Sequence, residues 1–269
     1  MANLIQFLTD NRFLFTTKRD PSASLGMTND TNMQKLIILP GWGGTSETWQ
    51  DFVDIAKADF DVQVINLPCF GDEPCPDTVW RVEEYAEFVK NKLSELGTPN
   101  HELILMGHSF GGQVASYLTA NNPKLADKLI LSGPAVFRPK KKLRRILIGA
   151  VAKTGKWIFK LPMLEKADIE VEKLFRRVTR SQDYADTSGI KRDIFTKVIR
   201  EDLSEDVKKI KIPTMIIWGT KDTYVPVKNA YKLNKLISNS KLEIIKNGKH
   251  GLHIQQPKVL LSKIKSFLE

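Results

Sequence analysis

The sequence predicts an α/β fold, a mainly parallel sheet of about six strands flanked by helices and interrupted by one helical insertion. Three observations lead there. Short apolar runs alternate with helix-periodic runs along most of the 269 residues. The connections between them are short and rich in Gly and Pro, as right-handed β/α crossovers require. The alternation lapses once, from about residue 135 to 211, and then resumes. With 42% hydrophobic residues and no compositional break, the chain suits one domain with a well-buried core.

Taken in order, Lys35 to Leu39 is a short apolar strand that runs into Pro40-Gly41-Trp42-Gly43-Gly44 and a helix capped by Thr45 or Ser46. Asp61 to Asn66 is the second strand, followed by a loop from Leu67 to Asp77. Val79 to Leu96 has helical spacing, with Val82, Tyr85, Phe88, Val89 and Leu93 on one side. Leu103 to Met106 is a buried strand leading into Gly107-His108-Ser109-Phe110-Gly111, and a helix is expected from Gln113. Lys128 to Ser132 is the next strand. After the insertion come the strand Pro213 to Trp218, a helix ending near Ile237, the strand Lys241 to Ile245, a loop from Lys246 to His253, and a last amphipathic helix from Gln256 to Leu268. Residues 1–32 read as a loosely ordered leader without the features of a secretory signal, and 33–269 as the folded domain.

Composition excludes several classes. No apolar run approaches the ~18 residues of a membrane span. The net charge of +10 is basic, but no nucleic-acid recognition motif accompanies it. Cys69 and Cys75 lie in one loop without the companions of a zinc site, and read as reduced thiols of a cytoplasmic protein, with a single surface disulfide between them as the alternative. No metal or cofactor is called for.

The chemistry sits at Ser109. A strand that reverses into a helix through Gly-x-Ser-x-Gly leaves the seryl oxygen projecting and brings backbone so close at 107 and 111 that a Cβ would clash. The first N–H groups of the helix lie beside that oxygen, where they can stabilise an oxyanion. A serine hydroxyl needs a histidine to take its proton and a carboxylate to fix that histidine's tautomer. Of four histidines, His101 precedes the strand and reads as exposed, while His108 is adjacent to Ser109 and points the wrong way. His250 and His253 both follow the last strand. His250 is preferred as base, with His253 as a supporting, lid or substrate contact. Asp222 follows the strand ending at Trp218; it reads as the acid, although a helix cap or Asx-turn would use the same residue. Ser109, Asp222 and His250 each follow successive strands, in the chain order of a hydrolase triad. The oxyanion donors are the N–H groups of Phe110 and Trp42, since Pro40 has none.

In these pieces, Pro40 to Gly44, Gly107 to Gly112, Gly219 to Pro226, and His250 with His253 and Pro257, the chain resembles the α/β-hydrolase superfamily, in its small esterase-like branch. The resemblance runs from about Gln34 to the C-terminus and implies Ser109 as nucleophile, His250 as base, Asp222 as acid, and Trp42 and Phe110 as oxyanion donors. It departs in having Pro40-Gly41 for the family's His-Gly, which implies altered loop packing, and in lacking an initial β-hairpin, which implies a shortened sheet. A serine at the elbow argues against the carboxylate-nucleophile chemistry of haloalkane dehalogenases and epoxide hydrolases. The implied activity is hydrolysis of an ester, thioester or amide of a small or medium organic acid. A non-catalytic binding protein and a membrane-surface lipase or esterase are the alternatives.

The insertion is basic where it begins. Arg138 to Lys160 holds nine Lys or Arg and no Asp or Glu. Its apolar residues, Trp157 and Phe159 among them, can form one helical face that roofs the pocket and touches substrate. The same segment could instead dock on anionic membrane or funnel an acidic substrate.

Overall fold

The computed structural model describes residues 33–97, 102–137 and 189–269. The expected leader 1–32, His101 and the basic stretch 138–160 with Trp157 and Phe159 lie outside these residues. The strands are β1 (Lys35–Leu39), β2 (Asp61–Val64), β3 (Leu103–His108), β4 (Lys128–Ser132), β5 (Thr214–Gly219) and β6 (Ser240–Ile245). They form a six-stranded sheet in the order β2-β1-β3-β4-β5-β6, and every pairing is parallel. The described α-helices are α1 (Gln50–Ala56), α2 (Val82–Glu95), α3 (Ser109–Asn121), α4 (Ile190–Val198), α5 (Lys228–Leu236), α6 (Leu252–Gln255) and α7 (Pro257–Leu268).

Parallel strands joined by crossover helices are buried on both faces, which is why β3 and β5 are buried along their whole length. The pleat separates the two layers. Ile37 and Leu39 face a core shared with α2, α3, α4 and α5, while Leu36 and Ile38 face the one closed by α1, α6 and α7. The β1-to-β3 pairing aligns Leu39 with Gly107, so the turn after β1 and the turn after β3 emerge side by side. That adjacency positions the site.

Several boundaries differ from expectation. α3 begins at Ser109 rather than Gln113, because the glycines that read as loop are there for close packing within a helix's first turn. α2 begins at Val82 and not Val79: Glu84 accepts a hydrogen bond from the Arg81 N–H, a capping box that ends the preceding loop. The loop expected to run to His253 already contains α6 from Leu252. In the insertion, α4 buries Ile194, Phe195 and Val198. Gln113 in α3 donates a hydrogen bond to the Val198 carbonyl at 3.1 Å, fastening this helix to the elbow helix.

The cysteines are a correction. Cys69 and Cys75 are not reduced thiols but are joined in a disulfide, their Cα atoms 4.1 Å apart. A spacing in sequence carries no information on whether two Cβ atoms come within bonding reach. The inference of a reducing compartment drawn from free thiols therefore lapses. Among the described residues, no helix is long and apolar enough to cross a membrane.

Candidate active site

β3 passes into α3 with no intervening residue, and Ser109 takes up the bend with φ of +52°. A non-glycine residue is held in this region only when its surroundings over-determine it. Here they do. A Cβ on Gly111 would overlap the carbonyl oxygens of Leu39 and Pro40, and one on Gly107 would stand 2.5 Å from the Gly111 carbonyl oxygen. The two turns are in contact as well. A Cβ at Gly41 would be 3.2 Å from both Ser109 Cβ and His108 Cδ2, so the turn after β1 lies against the elbow. Pro40 therefore stands where the elbow helix packs, its carbonyl oxygen beside Gly111.

Phe110 is in the first turn of α3, where backbone N–H groups have no intrahelical acceptor. Trp42 sits in a turn closed by the Gly44 N–H donating to the Gly41 carbonyl at 3.0 Å. The two residues meet through their rings, edge to face at 5.3 Å, and the Trp42 ring also packs on Phe70 and on Phe195 of α4, each at 4.9 Å. The pair of turns proposed to supply N–H donors is thus braced by aromatic contacts from the β2–α2 loop and the insertion.

Asp222 follows β5, and its two oxygens do different work. Oδ1 accepts the N–H groups of Tyr224 and Val225, each at 2.8 Å, which is an Asx-turn; Oδ2 accepts the Nδ1–H of His250 at 2.7 Å. The turn-forming role and the pairing role coexist. The Asp222 side chain is 1% exposed and that of His250 13%. Ser109 and His250 are not hydrogen-bonded, though the ring of His108, the residue before Ser109, packs 4.7 Å from that of His250. Such bonds commonly tighten only with substrate bound.

The other two described histidines are buried and neutral. His108 donates from Nδ1 to the Ser132 carbonyl at 2.9 Å, and burial, then the repulsion it would meet from a protonated His250 or His253, hold it well below the ordinary imidazole range. His253 is stacked on Trp49 at 3.9 Å, turned away from Asp222, and burial, with a smaller effect of His250, lowers it to about 4. Because its folded value lies below the unfolded 6.5, the unfolded chain binds the proton first as pH falls. Stability is full above about 6.5 and declines toward 4, by on the order of 3 kcal/mol from this group at most. His253→Phe keeps an aromatic ring on Trp49, and the buried Nδ1 that it removes has no partner. Its Tm should therefore fall less steeply than wild type between pH 6.5 and 4; parallel curves from thermal unfolding would contradict this.

Sequence reasoning missed Tyr224, whose ring stacks on His250 at 5.1 Å and 25°. A lone aromatic in a loop carries no periodic signal. Among the described residues, no group of His, Cys, Asp and Glu is arranged to hold a metal ion.

Comparison with known proteins bears on the family and the fold. Residues 30–257 match the family Hydrolase_4, described as serine aminopeptidase, S33. The pimeloyl-[acyl-carrier protein] methyl ester esterase of Vibrio atlanticus is 22% identical, over 87% of this chain and 94% of its own. The monoacylglycerol lipase ABHD6 of Mus musculus is 25% identical, over 87% of this chain and 75% of its own. Among solved structures, MenH from S. aureus superposes with a TM-score of 0.64 at 24% identity, over 88% of this chain and 94% of that one.

Proposed function

The chain belongs to the Hydrolase_4 family of α/β hydrolases, and on that premise we propose that it is a serine hydrolase cleaving a carboxylic ester through an acyl-serine intermediate. Thioesters and amides of small or medium organic acids share the required chemistry. Ser109 Oγ attacks the carbonyl carbon while His250 Nε2 takes its proton. The oxyanion is met by the N–H groups of Trp42 and Phe110, and Asp222 holds the His250 Nδ1–H and offsets the imidazolium charge. His250 then protonates the leaving alcohol, and water repeats the sequence on the acyl-serine. The reading rests on one observation above the others: a buried carboxylate within 2.7 Å of His250, beside a serine held at positive φ. The esterase and lipase relatives favour the ester among the three bond types.

The test is labelling of the folded protein with a fluorophosphonate probe. Wild type should label and turn over p-nitrophenyl esters, and Ser109→Ala should do neither. Absence of Ser109-dependent labelling in folded protein would favour a binding protein that keeps the fold without turnover.

A further inference from the structure

We propose that Tyr224 is a positioning residue whose ring face holds the His250 imidazole against Asp222 and stabilises its protonated form. The inference rests on the reading of His250 as the base. It deepens that reading by naming what meets the charge that the base acquires.

Tyr224 is placed by the same loop that places the acid. Its N–H is one of the two that Asp222 Oδ1 accepts, and the loop is pinned further along by the Trp218 indole N–H donating to the Val225 carbonyl at 3.0 Å. The ring is therefore not free to wander although it is 47% exposed. It lies nearly parallel to the imidazole, with centroids 5.1 Å apart, inside the distance at which a cation feels the negative face of an aromatic ring. An exposed tyrosine that served only the fold would have no reason to cover the one described histidine paired with a carboxylate.

Each described group packed on His250 can be taken in turn. Asp222, from the β5–α5 loop, pairs with Nδ1 and favours the cation. His108, at the end of β3, packs with its ring centroid 4.7 Å from that of His250, and its Nδ1–H is committed to Ser132. His253, on α6, is stacked on Trp49 and touches His108 at 4.9 Å. Both of these are buried and neutral, so neither competes for the charge. That leaves Asp222 and Tyr224 as the two groups favouring the imidazolium, one along the ring plane and the other over its face.

The test uses Tyr224→Ala and Tyr224→Phe in the full chain and reads the protonation midpoint of His250 from its ring resonances by NMR, which needs no substrate. Losing the aromatic face should move the midpoint to lower pH, and Phe should restore it. The acid limb of kcat/KM for a p-nitrophenyl ester should move in the same direction, with the plateau down about two- to fivefold. A midpoint that stays put, or that rises because water now reaches the imidazole, overturns the proposal, and so does failure of Phe to restore it. Loss of Ser109-dependent labelling in wild type would instead strike the reading of the active site. The two failures are therefore distinct.

Discussion

His250→Ala is expected to lower kcat/KM for p-nitrophenyl esters roughly 10⁴- to 10⁶-fold, while His253→Ala costs less than about tenfold. The contrast follows from where the two rings lie. His250 is bonded to Asp222, whereas His253 is three residues further on, across the start of α6, and spends its ring on Trp49. On the proposed reading His250 is the base, and since members of a triad act as a unit, removing it costs nearly as much as removing the nucleophile. Side-by-side kinetics on folded proteins decide the matter, and an essential His253 with a dispensable His250 would reverse the assignment.

Asp222→Asn is expected to lower kcat by about 10⁴-fold with little change in Tm, as in serine triads whose acid is made neutral. The hydrogen bonds force this outcome. The Tyr224 and Val225 N–H groups need an acceptor, so the amide oxygen must face them and the amide NH₂ must face His250. Nδ1 then has to accept rather than donate, which puts the proton on Nε2, where Ser109's proton should go. Asp222→Ala removes the Asx-turn as well, and should lower stability by about 1–3 kcal/mol on top of the kinetic loss. Comparing Tm and kcat for the two variants separates the turn from the chemistry; equal Tm losses would mean the two oxygens do not divide their roles as the structure has them.

Much of the scaffold was legible without coordinates because it is written in local patterns. Apolar runs of strand length, helical spacing and glycines at chain reversals specify the backbone path, and the path places Ser109, Asp222 and His250 at one edge of a parallel sheet. The glycines at 107 and 111 could be read as close-approach residues for the same reason, since a missing side chain at a sharp turn has few other uses. Helix starts were less legible: the glycines at 111 and 112 look like loop by propensity, yet α3 runs from Ser109 because tight packing against Pro40 and Pro134 overrides propensity.

What only the tertiary structure decided are contacts between residues distant in the chain. Two histidines three apart in one loop both reach the same edge of the sheet, so the sequence supported only a preference for His250; it is the direction of the backbone into α6 that turns His253 toward Trp49 and leaves His250 to Asp222. The Cys69–Cys75 disulfide depends on a Cα separation that no spacing reveals. The division of the Asp222 oxygens and the Tyr224 stack depend on rotamers where the loop after β5 meets the loop after β6, with hydrogen bonds of 2.7 to 2.8 Å. Side-chain rotamers answer to whatever packs around them, so a pattern that encodes where the chain goes does not encode which faces finally meet.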